Sequence, residues 1–300
     1  MDFSIIPVPI MFIISVSTTI IAQTINAQFS KKNDGGVKML FLRNTIFMFL
    51  IGLAIFALNG FVIKVSIFTL IMGLLFGLMT MLSNATMLQA YSYGPYGYTS
   101  VIVTLSTVIT ALSGYLFWGE PFGIYKVIGI TLMVFCFIFA VENKAGDTKK
   151  ANLKWFILSI ASMLFSAVLG ILQKIHQSSE YKGELTGFLV IAFLFSTLLY
   201  FIPFLALKKQ AEKPVFFISK KSTTNFILIT VLGAIVAAIC NCSNSYLAGV
   251  VDSAIMFPIV NGMPLMAGIL VSFVLFKEKI SKKQSVGLII GLISIVFLCL

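Results

Sequence analysis

The groups in this 300-residue chain that could carry acid–base, nucleophilic or metal chemistry are ten carboxylates, one histidine and four cysteines. Their spacing prepares none of these reactions. All ten acids, among them Glu120, Glu184, Asp252 and Glu278, fall at the ends of long apolar runs or between them. His176 stands near the end of a run beside Lys174, where both side chains are expected to snorkel towards water. Cys136, Cys240, Cys242 and Cys299 lie within apolar runs and read as small hydrophobes. Cys240 and Cys242, two apart on a helix, point away from each other, which argues against a disulfide or metal clip between them. One histidine without ligand-spaced cysteines makes no recognisable zinc or haem site. No catalytic group, no metal and no cofactor is expected.

What the apolar runs do contain is amides. Gln23, Asn84, Gln173, Asn241, Asn244 and Asn261 lie within or near five different runs, and a shift of 150 residues lays Gln23 over Gln173. An amide in hydrocarbon must find partners, yet an interhelical hydrogen bond there averages only about 0.6 kcal/mol. As glue the set contributes little; convergence on a polar cavity explains it better. The run Phe257-Pro258-Ile259-Val260-Asn261-Gly262-Met263-Pro264 has two prolines and a glycine in eight residues, which are expected to bend or break its helix. Carbonyls freed at membrane depth are tolerated where they line a cavity. Substrate contacts are therefore expected from Gln23, Asn84, Gln173, Asn241, Asn244, Asn261 and Pro264, with Asn261 first among them.

These residues need a scaffold in which amides sit inside hydrocarbon, and the composition supplies it. The chain is 59% hydrophobic and 10% charged, against roughly 25% charged in soluble domains. That much apolar side chain requires a bilayer as solvent, which excludes a soluble enzyme, a nucleic-acid-binding domain and a disordered protein. Apolar stretches of about 20 residues, the length that crosses a bilayer, occur at 5–28, 39–61, 67–92, 97–118, 123–141, 153–175, 185–207, 225–249, 253–276 and 284–300. The first is too long for the apolar core of a cleavable signal and is expected to be retained. The fold expected is an all-α integral membrane protein of ten transmembrane helices.

A polar stretch divides the ten into five plus five: residues 1–142, a connecting loop at 143–152, and residues 153–300. Shifting the second half by 158 residues lays Glu120 over Glu278, Gly129 over Gly287 and Ala90 over Ala248. Five is odd, so the second copy must cross in the opposite sense, the inverted repeat of many secondary transporters. Of the 21 basic residues, 17 fall in the loops after spans 1, 5, 7 and 9 or at the span ends beside them; Lys64, Lys126, Lys174 and Lys182 fall on the other side. The positive-inside rule makes the lysine-rich side cytoplasmic and leaves both termini outside. Gly73/Gly77 and Gly287/Gly291 are GxxxG pairs, read as close helix packing with dimerisation as the alternative.

Ten helices in two halves, with Tyr115-Leu116-Phe117-Trp118-Gly119-Glu120 closing the fourth span and Leu275-Phe276-Lys277-Glu278 closing the ninth, resemble the EamA type of the drug/metabolite transporter superfamily. Lys277 stands where that family usually has glycine, and Arg43 in the second span matches a basic residue often seen there. The resemblance implies a secondary transporter. It also implies cytoplasmic termini, against the lysine count, and the orientation stays open between the two. With no carboxylate at membrane depth, a neutral amide-lined cavity favours a small polar or zwitterionic organic metabolite, amino-acid- or nucleoside-like, moved across the cytoplasmic membrane by alternating access without proton coupling. The alternative is an efflux carrier for drugs or other amphipathic compounds. A non-transporting receptor or an intramembrane enzyme has less in its favour. The partners expected are a small metabolite and the lipid bilayer, with no nucleic acid, in a monomer or homodimer.

Overall fold

A computed structural model describes residues 5–30, 36–94, 96–140, 152–206, 220–276 and 281–300. Glu278, Lys277 and most of the 143–152 loop lie outside these. The described chain is helical: α1 (Val8–Ser30), α2 (Gly36–Leu58), α3 (Ile67–Tyr93), α4 (Tyr96–Thr104), α5 (Ser106–Trp118), α6 (Ile124–Ala140), α7 (Leu153–Gln177), α8 (Leu185–Ala206), α9 (Lys220–Val250), α10 (Ser253–Phe276) and α11 (Lys282–Cys299). In hydrocarbon a backbone must bond to itself, and a helix does so within one segment. Seven described stretches are long and apolar enough to cross a membrane, with shorter apolar segments in α1 and α6. With α10, and with α4 and α5 forming one span, they give ten consecutive crossings.

One expectation, of a helix break, is corrected, and a break is found elsewhere. The span with Pro258 and Pro264 is one continuous helix, α10. Each proline deletes one donor, but Ala254, Met256, Phe257, Ile259 and Val260 are all buried, and packing holds the helix through those gaps. The interruption falls instead at Leu105, in the fourth span. Leu105 N–H is shared between the Val101 and Ile102 carbonyls at 3.1 Å each, and its own carbonyl accepts from Val108 at 3.0 Å, one tight turn between α4 and α5.

The chain forms two compact units, each drawn from both halves of the sequence. Unit 1 comprises Met1–Met81 and His176–Tyr246; unit 2 comprises Leu82–Ile175 and Leu247–Leu300. In unit 1, α2 packs along α8, pairing spans 2 and 7. In unit 2, α6 packs along α11 and α5 along α10, pairing spans 5 and 10 and spans 4 and 9. Each pair joins a span to its counterpart five places on, as two related halves require.

Glycines make these approaches possible. A Cβ added at Gly129 would lie 2.7 Å from Leu298 Cγ, and Ser294 Oγ donates to the Gly129 carbonyl at 2.7 Å. Gly73 and Gly77 lie against Ile191 and Ala192 of α8, and Gly291 against Met266 and Cys136. Gly73, Gly77 and Gly291, three of the four glycines of the GxxxG pairs, are thus used in packing within the chain.

Candidate functional site

A polar arrangement in unit 2 lies where α5, α7 and α10 meet. Ser253, Phe257 and Asn261 are four apart and form one stripe along α10. Asn261 Nδ2 donates to Thr107 Oγ1 at 3.1 Å. One turn away, Gly170 of α7 has so little room that a Cβ there would lie 2.6 Å from Thr110 Cγ2 and 2.9 Å from Phe257 Cε1. A turn further, Ser253 meets Gly114 and Glu120, and Glu120 in turn meets Lys174. Ser106, Thr107, Thr110 and Ser113 all lie buried, at the i, i+1, i+4, i+7 spacing of a single helix face. Thr110 and Ser113 satisfy their hydroxyls on carbonyls of their own helix, at 2.9 and 2.7 Å. Thr107 Oγ1 accepts from across the junction. Asn261 is exposed while its partner Thr107 is buried, so the amide stands at the open edge of a hydroxyl-lined seam.

The charged end of this junction follows from one turn of backbone. Gly119 ends α5 in the left-handed region at φ +62°, which glycine adopts without a Cβ penalty, and its N–H donates to the Gly114 carbonyl. The next N–H, that of Glu120, bonds to the same carbonyl at 3.2 Å, folding Glu120 back over Gly114. The Glu120 carboxylate accepts from Ser253 N–H at 2.7 Å, from the Ser253 hydroxyl at 3.2 Å and from Lys174 Nζ at 2.6 Å. Lys174 also donates to the Val251 carbonyl at 3.1 Å. Beside it, Lys126 Nζ reaches Asp252 and the Pro121 carbonyl, each at 2.8 Å. The side chains of Glu120 and Lys174 keep only 10% and 9% of their exposure. Such a pair is tolerable because three further hydrogen bonds meet its remaining donors and acceptors.

Lys174 therefore does not snorkel, and neither does His176. The histidine is fully buried in unit 1, its Nδ1 facing Gln177 Nε2 at 2.9 Å and its Nε2 facing Thr69 Oγ1 at 3.2 Å. Its ring stacks on Phe188 with centroids 4.4 Å apart. Nearby, Glu184 accepts from Ser66 N–H at 2.8 Å, just before α3 begins. The half-buried Tyr181 phenol is held above its ordinary range, first by its hydrogen bond to Glu180 and then by that residue's charge.

The amides expected to line a site are divided between the units. In unit 1, Ser15 Oγ donates to Asn244 Oδ1 in a short contact, and Thr19 Oγ1 lies 3.1 Å from Cys240 Sγ. Asn244 Nδ2 reaches the same sulfur at 3.6 Å. Asn241 bonds back along its own helix, to the Ala237 carbonyl at 2.8 Å. Gln23 belongs to α1, and its side chain lies outside the described residues. In unit 2, Gln173 is buried next to Lys174, Asn84 is half-buried next to Ser83, and Pro264 is buried in α10. Ser83 Oγ meets Ser166 Oγ at 2.7 Å, joining α3 to α7.

Sequence reasoning missed Thr107, Thr110, Ser15 and the Glu120–Lys174–Ser253 cluster. The helical spacing of Ser106, Thr107, Thr110 and Ser113 was the signal available for the hydroxyl face. No metal-ligating cluster of three or more His, Cys, Asp or Glu occurs among the described residues.

A search of curated proteins finds no match. Among solved structures, one crystal structure superposes with a TM-score of 0.77, covering 97% of this chain and 98% of its own at 12% identity, which establishes a shared fold. The profile of the EamA-like transporter family matches residues 8–141 and again 153–300, one copy on each half. The chain belongs to the EamA-like transporter family, multi-pass membrane transporters of the drug/metabolite type.

Proposed function

We propose that the chain carries a small polar or zwitterionic organic metabolite, amino-acid- or nucleoside-like, across the cytoplasmic membrane by alternating access. The observation that carries this reading is the Asn261–Thr107 pair: an exposed amide bonded to a buried hydroxyl, in the middle of two spans. Amide and hydroxyl groups both donate and accept, and so can meet the dipoles of a neutral or zwitterionic solute. A permanently cationic drug would need a counter-charge. Glu120, Asp252 and Glu184 are already engaged, by Lys174, Lys126 and Ser66 respectively, which disfavours the efflux reading for cations. Gln23, Asn84, Gln173, Asn241, Asn244 and Pro264 complete the proposed set of substrate contacts. The protein works as a monomer or homodimer on this reading, and a dimer would not be built on Gly73, Gly77 or Gly291, which are occupied by contacts within the chain.

Counterflow in proteoliposomes tests it. Vesicles preloaded with one unlabelled amino acid or nucleoside are offered the same compound labelled, through a panel of each class. Transient accumulation of at least one neutral or zwitterionic compound is expected, with none for a quaternary ammonium drug. The reverse pattern would establish the efflux reading.

A further inference from the structure

On the reading that Asn261 meets substrate, we propose that Glu120 and Lys174 are positioning residues of that site: they fix the first turn of α10, and through it the register that sets Asn261 against Thr107. The first N–H groups of a helix have no partner within it. Ser253, which opens α10, finds its partner on another span: the Glu120 carboxylate takes both its N–H and its hydroxyl. Lys174, from a third span, holds that carboxylate and grips the Val251 carbonyl immediately before α10. One ammonium group thus ties the two sides of the α9–α10 corner to the end of α5.

The arrangement is specific in three respects. Glu120 accepts from three donors, Ser253 N–H, Ser253 Oγ–H and Lys174, and a carboxylate has two acceptor oxygens where an amide has one. The negative charge stands at a helix N-terminus, where the backbone dipole favours it. Room for it exists because residue 114 is glycine: a Cβ there would collide with the carboxylate and lie 2.6 Å from Ser253 Cβ. α10 also depends on an outside anchor more than its neighbours do, because Pro258 and Pro264 each remove a bond from its own ladder. Asn261 lies eight residues from Ser253, about 12 Å along the axis, so a shift of the first turn is delivered to the amide.

Cross-linking reads this register without a known substrate. In a background where Cys136, Cys240, Cys242 and Cys299 are replaced by alanine, Thr107→Cys and Asn261→Cys are introduced together. The membrane-embedded protein is oxidised with copper phenanthroline. Loss of labelling by a PEG-maleimide reports the bond, and size-exclusion chromatography reports the fold. Removing one charge alone would leave the other buried without a partner, so the pair is neutralised together. Glu120→Ala/Lys174→Met is expected to slow cross-linking about 5- to 30-fold, the effect of 1–2 kcal/mol on a two-state equilibrium. Glu120→Gln/Lys174→Met keeps one oxygen for Ser253 N–H and should fall between that variant and the parent. Lys126→Met/Asp252→Asn, which removes the neighbouring ion pair, should stay near the parental rate. Equal rates in the parent and both Glu120/Lys174 variants overturn the proposal. So does an equal slowing in Lys126→Met/Asp252→Asn, or a parental cysteine pair that does not close. The cross-link reports geometry alone, so a transport assay finding Asn261 dispensable would sink the substrate reading and leave this measurement standing.

Discussion

Gly129→Ala is the smallest change that tests whether the paired spans are held by close backbone approach. The new methyl carbon would sit 2.7 Å from Leu298 Cγ and 3.0 Å from the Leu298 backbone nitrogen, against about 3.5–4.0 Å for carbons at rest. α6 and α11 must therefore part by roughly 1 Å at that point. Leu298 is fully buried, so its side chain has no free direction to take. Overpacking of this kind costs about 1–3 kcal/mol, and stretching the Ser294–Gly129 bond adds about 0.6 kcal/mol. Alanine's better helix propensity returns about 1 kcal/mol. The net loss is about 0.6–2.6 kcal/mol, roughly a 3- to 80-fold shift in the folding equilibrium. Unfolding in mixed micelles, followed by tryptophan fluorescence, measures it. Gly123→Ala is the control, since a Cβ there meets nothing within 4 Å. A double-mutant cycle with Leu298→Ala should show coupling above about 0.5 kcal/mol, because the two sites touch. Equal stability of Gly129→Ala and Gly123→Ala, or an additive cycle, would refute the close-approach account.

The same unfolding assay should find Lys174→Met alone destabilised by about 3–5 kcal/mol, and Glu120→Gln/Lys174→Met within about 1 kcal/mol of the parent, as expected for a buried pair broken from one side or removed whole. A single variant no worse than the double would mean that the carboxylate is solvated. For orientation, the lysine distribution predicts that Lys64→Cys reacts with an impermeant maleimide in intact cells while Lys154→Cys does not; the reverse places both termini in the cytoplasm. Once a substrate is known, its uptake should respond little to an imposed pH gradient at constant membrane potential. Several-fold stimulation abolished by a protonophore would assign a proton-carrying role to a buried group such as His176 or Glu120.

The spans were legible because bilayer thickness sets a length that apolar runs either reach or miss, and the runs from 39–61 to 284–300 reach it. The two-half organisation was legible from few letters, Glu120, Gly129 and their counterparts, because the packing of related spans constrains small residues and turns. The continuity of α10 was not. Pro258 and Pro264 forecast a break from local chemistry, but neighbours buried against α10 decide whether a missing bond opens the helix. The partnership of Asn261 with Thr107 spans 154 residues of sequence, and that of Ser15 with Asn244 spans 229; no local pattern encodes either. Lys174 and His176 read as interfacial because they stand near the end of an apolar run. Glu120 is turned onto Lys174 by the left-handed Gly119, and Phe68 and Phe188 enclose His176, so tertiary contacts bury what position along the run would leave wet.

The most direct test of the proposed site is counterflow of the identified metabolite by Asn261→Ala beside the parent, at matched amounts of folded protein in the vesicles. The amide at position 261 is the group proposed to meet the substrate, and its buried partner Thr107 loses its donor with it. Initial rates at sub-saturating substrate should fall about 5- to 30-fold, the loss of one or two hydrogen bonds worth about 1 kcal/mol each. The chromatographic profile should remain that of the parent. Parental counterflow by a normally folded Asn261→Ala protein would contradict the site.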